Sequence, residues 1–193
     1  MRRLTFEISG RQRQAARPGH RVRCTFSCGR AWRPTVVARL ACTLGITQKA
    51  TVATSEHPPS LPVTNDTVHE FYEWLFAPWV KELGLRDFVV SPGQVVATLP
   101  QNKRLQFASG AVCGQVIMSA VDTVASLAMS TSDRPAKGTV YQHTHFLRPA
   151  MSDDLKIQAT VLRFGKASAF AETKVTFLGS GELVAHATLE FAF

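Results

Sequence analysis

From Ala111 to Met129 the chain is almost wholly apolar or small, contains no proline, and carries a single carboxylate, Asp122, near its middle. A segment of that kind predicts a helix buried on most sides, and its length also suits a membrane span. Asp122, with Gln115, Ser119, Thr123 and Ser126 around it, argues against the span. A lone carboxylate in hydrocarbon costs roughly 2.5–3.5 kcal/mol even on insertion scales. With no second span and amphipathic segments on both sides, the segment reads as a core helix, and no membrane contact is expected.

What lies around this helix is legible from spacing. Asn65 or Asp66 can cap a helix in which Val68, Phe71, Tyr72, Leu75, Phe76, Trp79, Val80 and Leu83 fall three and four residues apart, kinked at Pro78 and ended by Gly84. Residues 86–90 and 94–99 alternate around Ser91-Pro92-Gly93, which predicts a hairpin. After the apolar helix, residues 138–147, 155–164, 168–178 and 182–193 read as four strands, the last three a meander across short turn sequences. This order is α+β: one antiparallel sheet must wrap a hydrophobic helix.

The formal net charge of +8 suggests nucleic acid until it is divided along the chain. Residues 1–50 hold 11 of the 22 Lys and Arg and one acid, Glu7, so the remaining 143 residues balance at 11 − 13 = −2. The expected division is a basic N-terminal extension and linker over residues 1–64, with Pro58, Pro59 and Pro62 near its end, and a folded domain over residues 65–193. The extension reads as a disordered tail, or as lying upstream of the true start if synthesis begins at a non-Met codon such as that of Val52. Organelle targeting by an Arg-rich leader and a nucleic-acid arm are the other readings. No secretory signal is evident, so a cytoplasmic protein is expected, and a nucleic-acid partner is not. His20, Cys24, Cys28 and Cys42 fit none of the usual zinc spacings, and neither a disulfide framework nor a metal is expected.

On a helix, Gln115, Ser119, Asp122 and Ser126 form one narrow polar stripe. A carboxylate beside apolar walls is poised as a general base, although a buried Asp satisfied by Thr123, Ser126 or a backbone donor has the same periodicity. Just before it, Gly110 and Gly114 flank the expected helix start, where unpaired N–H groups and the dipole can hold a developing oxyanion. The pair suggests acyl transfer, with the carbonyl at the helix N-terminus and the base about two turns along.

Gly110, Gly114 and Asp122, followed by Thr123, resemble the hotdog-fold acyl-CoA thioesterases of the phenylacetate-degradation (PaaI-like) type. That family's pattern is Asn-x-x-Gly-x-x-His-Gly-Gly followed by a helix bearing Asp-Thr. His145-Phe146-Leu147-Arg148-Pro149-Ala150 looks like the family's strand and turn after the central helix, and Arg163-Phe164-Gly165-Lys166 like its next β-turn. The resemblance covers about Asp66 to Phe193. It implies a hotdog fold, in which an antiparallel sheet wraps a long central helix, and hydrolysis of an acyl-CoA or related thioester. Asp122 would activate water or attack directly, the Gly114 N–H would bind the oxyanion, and Thr139 would help position the nucleophile. No metal or bound cofactor is implied beyond the coenzyme A of the substrate. A homodimer or homotetramer is implied, with the Asp-bearing helix of one subunit facing the other's loops.

The departures from the pattern bear on activity. Phe107 stands at the family's Asn, Cys113 at its His and Gln115 at its second Gly. Phe107 cannot hydrogen-bond a thioester or water, though neighbouring Gln106 can, and Cys113 is a weak donor that reads as core filler or, alternatively, a nucleophile. Arg148, Arg163 and Lys166 are candidate contacts for coenzyme A phosphates. Phe107, Phe146 and first-helix aromatics are candidates for the acyl pocket, whereas His143 and His145, on one side of a strand, lack further ligands at metal spacing. A hotdog module that binds an acyl thioester without turnover is the alternative to a thioesterase.

Overall fold

The computed structural model describes residues 59–193, so the expectations placed on the basic extension before them lie outside the described residues. The elements are α1 (Val68–Leu75), α2 (Pro78–Lys81), β1 (Arg86–Ser91), β2 (Gln94–Leu99), a 3-10 turn (Lys103–Leu105), α3 (Gly114–Met129), β3 (Gly138–Phe146), β4 (Leu155–Phe164), β5 (Ser168–Phe177) and β6 (Leu183–Ala192). The six strands form one antiparallel sheet in the order β1-β2-β4-β5-β6-β3. The sheet wraps α3, the α+β hotdog arrangement expected from the sequence. No helix among the described residues is long and apolar enough to cross a membrane.

The core forms where α3 lies on the inner face of the sheet. Ile117, Ala120, Val121, Val124, Leu127 and Ala128 of the helix are buried, as are Val95, Ala97 and Leu99 of β2 and Leu155, Ile157 and Ala159 of β4. The inner faces of β5 and β6 bury four alanines, Ala169, Ala171, Ala185 and Ala187, beside Thr173, Val175, Leu189 and Phe191. Small side chains there let a bulky helix approach the sheet at close-packed density.

Three local expectations are corrected. The first helix is broken at Pro78, not kinked. Phe76 and Ala77 are extended and Pro78 opens α2, because the ring disfavours helical geometry in the residue before it and lacks the N–H a continuous helix needs. The N-cap of α1 is Thr67, not Asn65 or Asp66. Asn65 instead turns to the free edge of β1, donating from Nδ2 to the Val90 carbonyl (2.9 Å) and accepting at Oδ1 from the Val90 N–H (2.7 Å). Finally, α3 begins at Gly114 and not near Ala111, since the Val112 and Cys113 N–H groups donate to the carbonyls of Ala150 and Leu105. The chain leading into α3 is thus a tied loop with Gly110 at φ +85°.

Helix α1 sits against β1 through Tyr72, whose ring centroid lies 5.3 Å from that of Phe88. Burial, with Glu73 alongside, pushes the Tyr72 phenol up to about 12. Its hydroxyl donates to the Val80 carbonyl at 3.4 Å, joining α1 to α2.

Candidate active site

Within α3 the polar stripe lies on the flank turned toward β3. Gln115 is exposed, while Ser119, Asp122 and Ser126 are half-buried. Thr123, which the sequence offered as a partner for Asp122, is buried and donates instead to the Ser119 carbonyl (2.7 Å). The partner of Asp122 is Thr139, whose hydroxyl donates to Oδ1 at 2.5 Å.

A bulge in β3 makes this contact. Thr139 pairs with buried Phe191, but the register shifts between Thr139 and Tyr141, so Gln142, Thr144 and Phe146 pair with Leu189, Ala187 and Ala185. One extra residue lets Thr139 and the later trio share the inner face. Gln142 Nε2 then reaches the Met118 carbonyl (3.2 Å), and the Phe146 ring lies where a Cβ on Gly114 would meet it at 3.2 Å. Tyr141, His143 and His145 take the outer face, opposite Glu190, Thr188 and His186, away from Asp122. Among the described residues no three His, Cys, Asp or Glu side chains are grouped to hold a metal ion.

Asp122 opens into a cavity of about 460 Å³. Its apolar wall comes from Phe71, Trp74, Leu75 and Phe76 at the first helix and from Phe191, and its polar side from Asp122, Ser126, Ser130, Thr139 and Lys137. First-helix aromatics were among the candidates for this wall; Ser126 was read only as part of the stripe, and Lys137 was not singled out at all. The signal available for Lys137 was its position two residues before Thr139. The loop carrying it is latched by Arg134, which donates to the Gly165 carbonyl (2.8 Å) and lies 4.9 Å from the Phe193 ring centroid.

The sequence placed one carbonyl between the helix start and Asp122, and the structure separates these positions. Gly114 lines a second cavity, also about 460 Å³, with Phe107, Ile117, Phe146 and Arg148. Eight residues of helix put Gly114 about 12 Å along the axis from Asp122. Within one protomer Phe107 and Phe146 line the cavity of Gly114 and not the one beside Asp122. The N–H groups of Gly114 and Gln115 have no backbone acceptor among the described residues, as the first turn of a helix requires. Cys113, at the N-cap, is a half-buried free thiol.

The remaining candidates are dispersed. Gln106 lines a third cavity with Gly110, Asn102 and Lys103, apart from Gly114, and donates to the Gln101 side chain. Arg148 is paired with Glu182 at 2.5 Å, near the end of β3. Arg163 and Lys166 lie at the opposite end of the sheet, where β4 turns into β5 beside the start of β3. Within one protomer these three cations form no common phosphate site.

Residues 109–184 match the Thioesterase superfamily. Human acyl-coenzyme A thioesterase 13 is 29% identical over 97 residues, covering 49% of this chain and 69% of that protein. Thioesterase superfamily member 2 of zebra fish superposes with a TM-score of 0.62 at 24% identity, over 67% of this chain and 98% of that one. The PaaI protein of the E. coli phenylacetic acid degradation operon superposes with a TM-score of 0.57 at 20% identity, over 67% and 95%. The segment carrying α3, β3, β4 and β5 is therefore similar to the Thioesterase superfamily, and the described residues share the hotdog fold of these structures.

Proposed function

We propose that this domain hydrolyses acyl-CoA, or a related acyl thioester, to the free acid and CoA, with Asp122 as its essential carboxylate. The family match and the acyl-coenzyme A thioesterase among the relatives support a thioester hydrolase. The observation that carries the finer reading is Asp122 itself, held by Thr139 in the lining of a largely apolar cavity. An acyl group lying in that cavity puts its carbonyl carbon beside the carboxylate. Asp122 takes a proton from water as the water oxygen bonds to that carbon, and the tetrahedral oxyanion is held by backbone N–H groups. The C–S bond then breaks, and the leaving sulfur takes the proton from Asp122. No metal or bound cofactor enters these steps.

Since about 12 Å of helix separates Gly114 from Asp122, one protomer cannot bring both to one carbonyl. The reading therefore includes a second copy, whose Gly114 serves this copy's Asp122. Among the described residues strand β3 ends the sheet and pairs only with β6, and Val140 (61%) and Tyr141 (55%) on it are exposed. A long edge with exposed apolar side chains calls for a partner strand.

Phe107 and Cys113, at the family's polar positions, favour a second reading, a module that binds acyl thioesters without turnover. Thiol release from aromatic and aliphatic acyl-CoAs by wild type and Asp122→Asn, both shown folded by circular dichroism, separates the two. A loss of roughly a hundredfold or more in the variant is expected. No turnover with acyl-CoA still bound supports the module, and turnover unaffected by the substitution overturns the role of Asp122.

A further inference from the structure

We infer that Ser126 selects acyl groups carrying a hydrogen-bonding oxygen about one helical turn beyond the thioester carbonyl. The inference rests on the proposed reading of the Asp122 site. Ser126 follows Asp122 by four residues and lines the same cavity, so their Cβ atoms are about 6 Å apart on one helix face.

The hydroxyls around it are already committed. Ser119, Thr123 and Ser130 each donate to the carbonyl one turn back, at 2.9, 2.7 and 2.9 Å. Thr139 is held by Asp122, and the Lys137 ammonium by the Phe193 carbonyl at 2.8 Å. Ser126 Oγ has no hydrogen-bond partner among the described residues. It is the one hydroxyl lining this cavity, among those residues, with both donor and acceptor capacity free.

Phe71, Trp74 and Leu75 line the same cavity. A plain hydrocarbon chain laid against them leaves the Ser126 hydroxyl without a partner where water is being displaced, whereas a hydroxyl or oxo group at that depth satisfies it. A polar group set in an apolar cavity fixes the register of its ligand, and a site built to hydrogen-bond an oxygen discriminates against the analogue lacking it.

The test compares octanoyl-CoA with 6-hydroxyoctanoyl-CoA, whose hydroxyl in an extended chain lies about that far from the carbonyl carbon and is too remote to close readily to a lactone. Wild type is expected to favour the hydroxy thioester by about tenfold in kcat/KM. Ser126→Ala brings the ratio to about one, and Ser126→Thr, which keeps the hydroxyl, preserves the preference. Equal rates in wild type, or a preference that survives Ser126→Ala, overturn the selection while leaving the hydrolase reading intact. Absence of thiol release from both thioesters overturns the hydrolase reading instead. Equilibrium binding of the same pair then reads the selection, with equal affinities overturning it.

Discussion

Thr139 Oγ1 stands 2.5 Å from Asp122 Oδ1, joining the first residues of β3 to the middle of α3. The bond fixes the orientation of Asp122, and Oδ2 accepts no hydrogen bond among the described residues. Thr139→Val removes the donor while keeping the shape of the side chain. The expected result is a fall in kcat of about tenfold with little change in KM, and recovery in Thr139→Ser. Unchanged kcat in the valine variant contradicts the positioning role.

If Gly114 of one copy serves Asp122 of another, the active species contains at least two chains. Sedimentation velocity at assay concentrations is expected to give twice the monomer mass or a multiple of it. A monomer with full thiol-releasing activity contradicts the shared site.

Asn65 satisfies both backbone groups of Val90 on an edge strand. Asn65→Ala loses two hydrogen bonds and is expected to cost about 1–2 kcal/mol in urea denaturation, with an unchanged m-value. A loss confined within a few tenths of a kcal/mol would show that water replaces the side chain.

Thr173 is fully buried between Ala159 and Ala187, and its hydroxyl has no partner among the described residues. Thr173→Val replaces an unsatisfied polar atom by a methyl of similar shape. The substitution is expected to stabilise the domain by about 1 kcal/mol, read as a higher denaturation midpoint.

On the outer face of the sheet the His186 imidazole, 2.7 Å from Glu172 Oε1, holds that carboxyl below its usual range, and Lys174 adds to the effect. A carboxylate with a lowered folded value contributes stability above the unfolded value of about 4.3, and the contribution is lost as pH falls through the folded value. Wild type is expected to melt above Glu172→Gln at pH 7, by less than about 1 kcal/mol for so exposed a pair, with the gap closing toward pH 3. A gap that widens in acid reverses the sign and contradicts the assignment.

By itself the sequence determined the order of elements and most of their bounds. The hairpin, the long helix and the four later strands all follow from apolar periodicity and turn residues, and both act over distances shorter than one element. It also isolated Asp122, because one carboxylate on an otherwise apolar helix is visible without any tertiary contact. Only the tertiary structure decided where that carboxylate points. The bulge that turns Thr139 inward is a property of strand pairing with β6, and the delayed start of α3 depends on carbonyls of Leu105 and Ala150. The cavity beside Asp122 joins Phe71 to Phe191, 120 residues apart, and the separation of Gly114 from Asp122 is set by helix rise and packing. Local patterns record which face of an element is buried. They do not record which distant segment covers it, and the candidate site is assembled from such coverings.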